Sequence, residues 1–124
     1  MTATTERRRA ELWRRFVARR LAIAFGRHLV RRGPRFPDPD KAAPDVDAPA
    51  FWVECAAGTV DASLVLLEAE ADARGSGLWP LAVTKLPGGL PTVHMRLDDF
   101  TELLLEWWSA KERGSRPAPW GGAS

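Results

Sequence analysis

The sequence has little cysteine and no long apolar run. Cys55 is its single cysteine, so no disulfide can form within the chain and nothing indicates an oxidising compartment. No uninterrupted apolar stretch approaches the roughly 20 residues that a membrane span needs. The opening segment MTATTERRRAELWRR also lacks the apolar block of a secretory signal. These absences lead us to expect a soluble, cytoplasmic protein.

Several common kinds of site are missing as well. No glycine-rich loop of the Walker type is present, so ATP binding is not expected. The two histidines, His28 and His94, are far apart and belong to no cluster with zinc-ligand spacing. The sequence identifies no histidine partner for Cys55, which favours a small buried residue over a nucleophile.

What is present is a globular composition with an uneven distribution of charge. Of the 124 residues, 45% are apolar and 27% are charged, which predicts one compact domain. Residues 1–35 hold eleven arginines against two acidic residues, whereas residues 36–124 hold seven basic residues against fourteen acidic ones. A cationic segment made almost wholly of arginine favours contact with nucleic-acid phosphates. A solvated basic helix is the alternative.

The arginine-rich segment has the periodicity of a long amphipathic helix over residues 6–28. Apolar residues at helical spacing predict one buried stripe, formed by Trp13, Phe16, Val17, Leu21, Ala24 and Phe25. Arg8, Arg15 and Arg19 fall on another face, with Arg7 and Arg14 beside them. Such a helix can lie on a membrane surface, but we expect its apolar stripe to cover a sheet.

The rest of the chain alternates strand and helix patterns. Residues 31–49 are rich in Pro and Asp and predict a loop with short extended pieces. Then follow a strand over 50–55, a helix over 61–73, two strands over 78–86 and 92–97 that pair as a hairpin, and a helix over 98–111 capped by Asp98. We therefore predict a single α/β domain over residues 1–111, with a central mixed sheet flanked by helices, and a mobile tail over 112–124.

Apolar spacing also predicts which side chains are buried. In the second helix these are Leu64, Val65, Leu67 and Ala71, and in the last helix Phe100, Leu103, Leu104, Trp107 and Trp108. Trp13 and Trp52 are likewise predicted to fill the core. Trp79 follows a glycine-rich turn and either closes the hairpin or contacts DNA.

Asp45 and Glu54 are the acidic residues with the best case for a site. Asp45 lies in a Pro-Asp-Val turn that enters the sheet, and Glu54 lies in the strand segment FWVEC, on the face of Trp52 and Ala56. A buried carboxylate needs a partner, a hydrogen bond or a cation, and two converging carboxylates suit Mg²⁺. Alternatively, FWVEC is an edge strand whose Glu54 points to solvent.

Four segments of the sequence carry a resemblance to a known family: PDVDAPAFWVECA, the helix segment EAEADA, the strand segment LAVTK and the closing MRLDDF. Together they resemble the PD-(D/E)XK endonuclease-like proteins of bacteriophages. Those proteins are similar to Holliday junction resolvases. The resemblance covers residues 26–106 and implies a restriction-endonuclease-like fold. It further implies that the protein is encoded by a phage or prophage and lies in the cytoplasm of a bacterial host. The family also implies a homodimer that cuts branched DNA and uses Mg²⁺, or Mn²⁺ in its place.

The resemblance also implies roles for individual residues. Asp45 and Glu54 match the family's metal-binding acids, and the backbone carbonyl of Cys55 joins them as a ligand. An acidic residue of the first helix often completes the site, and Glu11 is the better placed candidate here. A polar residue recurs in the following helix, where this sequence has Glu68.

Ala56 occupies the position at which the family has its catalytic lysine. An ammonium group there would orient or deprotonate the attacking water and offset charge on the phosphate, and a methyl group can do neither. Three explanations are open: the alanine replaces a natural lysine, the natural protein has lost cleavage, or Lys85 reaches in from a neighbouring strand. We expect an endonuclease whose hydrolysis is impaired or lost. The alternatives are an inactive DNA-binding or protein-interaction module and a phage accessory protein without a nucleic-acid role.

Arginines are expected to hold DNA phosphates without reading the base sequence. The candidates are Arg8, Arg15, Arg19, Arg27, Arg31, Arg32 and Arg35. For the expected homodimer, the aromatic surface of the last helix is the candidate contact.

Overall fold

A computed structural model describes residues 3–33 and 40–114. Within these ranges the helices are α1 (Ala3–Phe25), a 3₁₀ helix (Arg27–Leu29), α2 (Ala62–Asp72) and α3 (Leu97–Gly114). The strands are β1 (Arg31–Arg32), β2 (Val46–Ala48), β3 (Phe51–Ala57), β4 (Trp79–Lys85) and β5 (Thr92–His94). Arg35 and most of the predicted tail lie outside the described residues.

The five strands form one mixed sheet in the order β1-β2-β3-β4-β5. β3 and β4 are parallel and are connected through α2, whereas the other neighbouring pairs are antiparallel. The predicted hairpin of β4 and β5 is therefore confirmed, as is the α/β class with a mixed sheet. β3 is the middle strand, paired with β4 along its whole length from Phe51 to Ala57.

α1 covers one face of the sheet with part of the predicted apolar stripe. Trp13 and Val17 are buried in one cluster with apolar side chains of β2, β3 and β4. The indole N–H of Trp13 also donates to the backbone carbonyl of Val83 at 3.4 Å. Phe16 and Ala24, which were predicted to be buried, are exposed because they lie at the margins of the stripe.

The limits of α1 differ from the predicted range 6–28 by three residues at each end. The helix ends at Phe25 because Gly26 has a φ of +94°, a conformation that ends helices and that glycine adopts without steric cost. His28 therefore lies in the 3₁₀ helix. All helices in the described ranges fall short of the length or the apolar character of a membrane span.

α2 covers the opposite face of the sheet, but not with the predicted side. Leu66 and Ala69 are its buried residues, and Ala69 and Ala73 pack around Trp52. The predicted positions that are exposed instead are Leu64, Leu67 and Ala71. The segment SLVLL is apolar at four of five positions, so its periodicity selects no face. α2 turns its alanines toward Trp52 because small side chains leave room for the large indole.

The two adjacent leucines Leu66 and Leu67 test this face of α2. Leu66 is 7% exposed and Leu67 is 50% exposed. Leu66→Ala should lower the free energy of unfolding by about 2 kcal/mol, because it removes buried methyl groups and leaves a cavity. Leu67→Ala should change it by less than about 0.5 kcal/mol. Urea unfolding followed by circular dichroism measures both, and equal effects would show that the helix packs through another side.

α3 differs most from the prediction. It begins at Leu97, so Asp98 lies in its first turn and is not its cap, and it continues to Gly114 instead of ending at residue 111. None of its residues is buried. The five residues predicted to form its buried side are half-buried or exposed: Phe100, Leu103, Leu104, Trp107 and Trp108.

Polar contacts attach the first half of α3 to the rest of the domain. Arg96 donates two hydrogen bonds, of 2.8 and 2.7 Å, to the carboxylate of Glu70 on α2. The indole N–H of Trp79 donates to Oε1 of Glu102 at 3.0 Å. Trp79 lies at the end of β4 farthest from the hairpin turn and has its ring centroid 5.7 Å from that of Phe51. It therefore joins α3 to the sheet and does not close the hairpin.

Candidate functional site

Asp45 lies immediately before β2, beside the middle strand. Its backbone N–H donates to the carbonyl of Val53 at 2.9 Å. β2 is only three residues long and begins opposite Val53, so β3 extends past it. In that extension the N–H of Cys55 donates to Oδ2 of Asp45 at 2.8 Å. The Asp45 carboxylate thus accepts the hydrogen bond from the Cys55 N–H that a backbone carbonyl would accept if β2 were longer. This hydrogen bond fixes the position of the carboxylate.

Glu54 lies on the middle strand of the sheet, so the alternative in which FWVEC is an edge strand is wrong. Trp52, two residues earlier, donates its indole N–H to Oε1 of Glu54 at 3.0 Å. Burial raises the pKa of Glu54 to about 8, and the nearby carboxylate of Asp45 adds to the rise, while the hydrogen bond from Trp52 opposes it. Burial therefore favours the protonated form of Glu54 near neutral pH.

Cys55 presents its backbone and its thiol to different neighbours. The N–H and C=O of a strand residue point to the same side of the strand, so the Cys55 carbonyl faces the side on which Asp45 accepts the Cys55 N–H. Its side chain packs against the apolar cluster under α1. Burial raises the pKa of the Cys55 thiol, and the neighbouring carboxylates add to this. The thiol is therefore a packing group, and the carbonyl is the atom of Cys55 available to a cation.

Arg14 of α1 brings a cation to Asp45. Its Nη1 lies 3.6 Å from Oδ1 of Asp45, and its Nη2 lies 2.7 Å from Oε2 of Glu11. Glu11 also accepts a hydrogen bond from Arg32. Burial alone would raise the pKa of Glu11, but Arg14 and Arg32 outweigh it and lower the pKa. Glu11 is thus connected to Asp45 through Arg14 and is itself bound by two guanidinium groups.

Ala56 and Lys85 lie on opposite faces of the sheet. Ala56 is on the face of Glu54, since alternate strand residues share a face. Lys85 pairs in register with Ala57 and lies with Arg9, Leu12, Trp13 and Phe16 beside α1. The geometry does not bring Lys85 to the acids, and it leaves Ala56 without a lysine substitute on its own face among the described residues.

Some residues near the acids escaped the sequence reasoning. Glu68 is exposed on α2, and Asp72, one turn later, is the α2 carboxylate that contributes to the raised pKa of Glu54. An i,i+4 relation to Glu68 was the available signal for Asp72. The sequence did not indicate that Trp52 and Arg14 lie beside the acids. Trp52 has the pattern of a core residue, and Arg14 is one of many arginines in its helix.

Few side chains near Asp45 could bind a hard divalent cation. In residues 3–33 and 40–114, no three side chains of His, Cys, Asp or Glu gather as a metal site. Two carboxyl groups and the Cys55 carbonyl supply oxygen donors, which Mg²⁺ prefers. In the absence of a cation, a proton neutralises the carboxylate of Glu54, and a bound cation would take over that role. The donor chemistry therefore fits Mg²⁺ or Mn²⁺ with water completing the coordination.

Four of the candidate arginines surround one open cavity of about 530 Å³ beside α1. They are Arg15, Arg19, Arg27 and Arg32, and we call this cavity the arginine groove. The other residues that line it are apolar: Ala18, Ala22, Ile23 and Val30. Arg32 also binds Glu11, so the groove adjoins the ion pairs that lead to Asp45.

The remaining arginine candidates lie elsewhere or outside the described residues. Arg8 lines a neighbouring depression together with Arg7 and Arg14. Arg31 is exposed on β1. Arg35 is not among the residues that the structure describes. The structure therefore brings together four of the seven predicted DNA-binding arginines.

No protein-family model, curated protein or solved structure matches the chain.

Proposed function

We propose that this domain binds DNA through the arginine groove and presents the backbone to the acidic pair Asp45 and Glu54. One observation carries the proposal: a chain of ion pairs runs from the groove through Arg32, Glu11 and Arg14 to Asp45. A phosphate held in the groove would be connected through Arg32, Glu11 and Arg14 to Asp45, one of two carboxyl groups suited to a divalent cation. Cationic and acidic groups in this arrangement are what phosphodiester chemistry requires.

The proposed activity is that of a Mg²⁺-dependent, structure-specific endonuclease of the Holliday junction resolvase type with a PD-(D/E)XK site. Asp45, Glu54 and the Cys55 carbonyl would hold Mg²⁺ or Mn²⁺. When bound, the cation supplies an activated water and neutralises charge on the phosphate. The preference for branched DNA, the phage origin and the homodimer rest on the resemblance of the segment around PDVDAPAFWVECA to that family.

Ala56 supports a second candidate, an inactive nuclease-derived module that binds DNA or a protein partner. The face of Glu54 carries a methyl group at position 56, and Lys85 lies on the other face. Arg14 lies 3.6 Å from Asp45 as a fixed charge, so Asp45 has a cationic partner without a metal. In this candidate the groove retains its affinity for DNA and hydrolysis is impaired or lost.

Removing two arginines from the groove tests the proposed DNA binding. Arg15→Ala combined with Arg19→Ala should weaken binding of a four-way junction and of linear duplex by tenfold or more. The plot of log affinity against log salt concentration should become less steep by about 2, because two phosphate contacts are lost. Gel shifts at two salt concentrations measure both quantities.

Arg9→Ala combined with Arg20→Ala is the matched control. This pair removes the same charge from the same helix, but Arg9 and Arg20 face away from the groove. It should retain most of the affinity. Equal losses in both double variants would mean that only the net charge matters. Negligible binding by the wild type at low salt would favour an accessory protein without a nucleic-acid role.

A further inference from the structure

An apolar groove lies between α1 and the turn that joins β4 to β5. Two adjoining cavities of about 480 and 440 Å³ form it, and both are lined by Trp13, Phe16 and Pro91. Five of its apolar side chains are exposed by 42 to 84%: Leu12, Phe16, Leu86, Leu90 and Val93. Isolated exposed apolar residues are ordinary, but a contiguous set in a concavity marks an interaction surface.

The length of the apolar groove suits a helix. Along α1 it extends from Arg9 to Leu21, which is about 18 Å, or roughly three turns, at 1.5 Å per residue. The ring of Phe16 lies in the groove and stacks on the ring of Trp13, with the two centroids 5.4 Å apart. A concave surface of this length fits a convex rod better than a flat bilayer.

The side chains of the apolar groove offer no hydrogen-bond acceptor to a bound backbone. Among the described residues they are apolar or cationic, and the indole N–H of Trp13 is already donated to the carbonyl of Val83. An extended segment would therefore bury N–H groups without a side-chain partner, whereas a helix satisfies its own backbone. The lining thus favours a helix over an extended peptide.

The charges around the apolar groove indicate what kind of helix fits. Arg9 and Arg20 lie toward its two ends on α1, and Lys85 lies at the end of β4. None of these three cations forms an ion pair with another described residue, and no acidic side chain of the described part of the chain lines the groove. Carboxylates beside an apolar stripe are complementary to this surface.

We propose that the apolar groove binds an acidic amphipathic helix of a partner protein. The apolar stripe of that helix lies against Phe16 and Leu90, and its carboxylates lie beside Arg9 and Arg20. This interaction is separate from the proposed DNA binding, because neither arginine lines the arginine groove. Three turns of helix bury less than the roughly 800 Å² per partner of a standard interface. We therefore expect a reversible complex with a Kd on the order of 10 µM.

The test uses the full chain and a designed peptide of about 18 residues, long enough to span the groove. The peptide has leucines at the a and d positions of successive heptads, glutamates at the e and g positions, alanines elsewhere and a fluorescein label. Fluorescence anisotropy with nanomolar peptide should give a Kd on the order of 10 µM. A control peptide with glutamine in place of every glutamate should bind about two- to tenfold more weakly, as expected for exposed ion pairs.

A single substitution tests whether the peptide occupies the apolar groove. Leu90→Glu should raise the Kd at least about tenfold, because it places a carboxylate against the apolar stripe and near the glutamates of the peptide. Leu64→Glu is the matched control, since Leu64 is also exposed but lies on α2, outside the groove. It should bind the peptide like the wild type.

Two pairs of arginines test the charge complementarity. Arg9→Ala combined with Arg20→Ala should raise the Kd of the glutamate peptide about two- to tenfold. The same variant should bind the glutamine peptide like the wild type, because the arginines couple to the glutamates alone. Arg15→Ala combined with Arg19→Ala should leave both Kd values unchanged at physiological salt, where charges are screened beyond about 8 Å.

Three results would overturn the proposal. The first is no binding of the glutamate peptide up to about 1 mM protein, and the second is binding that Leu90→Glu leaves intact. The third is binding of phosphatidylserine–phosphatidylcholine vesicles that Leu90→Glu abolishes, which would assign the surface to a membrane. DNA binding is measured separately through Arg15 and Arg19, so each of the two proposals can fail without the other.

Discussion

Ala56→Lys is expected to increase Mg²⁺-dependent cleavage of a four-way junction by about 10² to 10⁴-fold, the usual contribution of a positioned proton-transfer group. Ala56 is on the same face of β3 as Glu54, about 6.6 Å further along the strand. A lysine there extends over the acidic pair, where its ammonium group can orient the attacking water and neutralise charge on the phosphate. The measurement is single-turnover cleavage of labelled junction and linear duplex in Mg²⁺.

Ala57→Lys is the matched control for this gain. It adds the same charge one residue later, but Ala57 is exposed and its side chain points to the opposite face of the sheet. It should cut no better than the wild type. Combining Ala56→Lys with Glu54→Gln should abolish the gain, because it removes a ligand of the cation. If Ala56→Lys binds the junction normally and does not cut it, the domain is a binding module.

The strand and helix order was predictable because each element carries a local signal. The alternation in FWVEC places Trp52 and Glu54 on one face, and Asp61 caps α2 by accepting the N–H of Ser63 at 2.9 Å. The sequence also led us to expect Asp45 beside Glu54, and the carboxylate of Asp45 contributes to the raised pKa of Glu54. These features depend on residues close together in sequence, and local chemistry specifies them.

What could not be predicted depends on contacts between distant parts of the chain. The buried side of α2 is chosen by Trp52, which its own apolar pattern does not reveal. The apolar residues of α3 have the same periodicity as a buried stripe, but in the folded chain none of them is buried. Arg14 looks like any arginine of a basic helix until the fold brings Asp45 to it.

Glu54 should make the stability of the protein depend on pH between about 4.5 and 8. Its pKa rises from 4.5 to about 8 on folding, mainly through burial. The folded state therefore binds this proton more tightly than the unfolded state. The contribution of Glu54 to stability is fully present below pH 4.5 and is lost as the pH rises to about 8. An unscreened shift of this size corresponds to about 5 kcal/mol, and solvent screening of the partly buried carboxyl reduces it to about 3 kcal/mol.

Glu54→Gln isolates this effect, because glutamine resembles the protonated acid and does not ionise. The variant and the wild type should have similar free energies of unfolding near pH 4.5, and the variant should be more stable by about 3 kcal/mol above pH 8. Urea unfolding at several pH values gives the difference. Glu68→Gln removes an exposed carboxyl from α2 and should follow the wild type at every pH. A difference between Glu54→Gln and wild type that stays constant with pH would mean that Glu54 ionises like an exposed acid.

Divalent cations should reverse the loss of stability if the acidic pair is a metal site. A cation binds the deprotonated carboxyl groups, so Mg²⁺ or Mn²⁺ should raise the melting temperature of the wild type more at pH 8 than at pH 6. Asp45→Asn removes one ligand without changing the size of the side chain, and the stabilisation should disappear in that variant. Calcium-free and EDTA-treated samples give the baseline. A wild type that Mg²⁺ and Mn²⁺ leave unchanged at both pH values would show that Asp45 and Glu54 do not form a metal site.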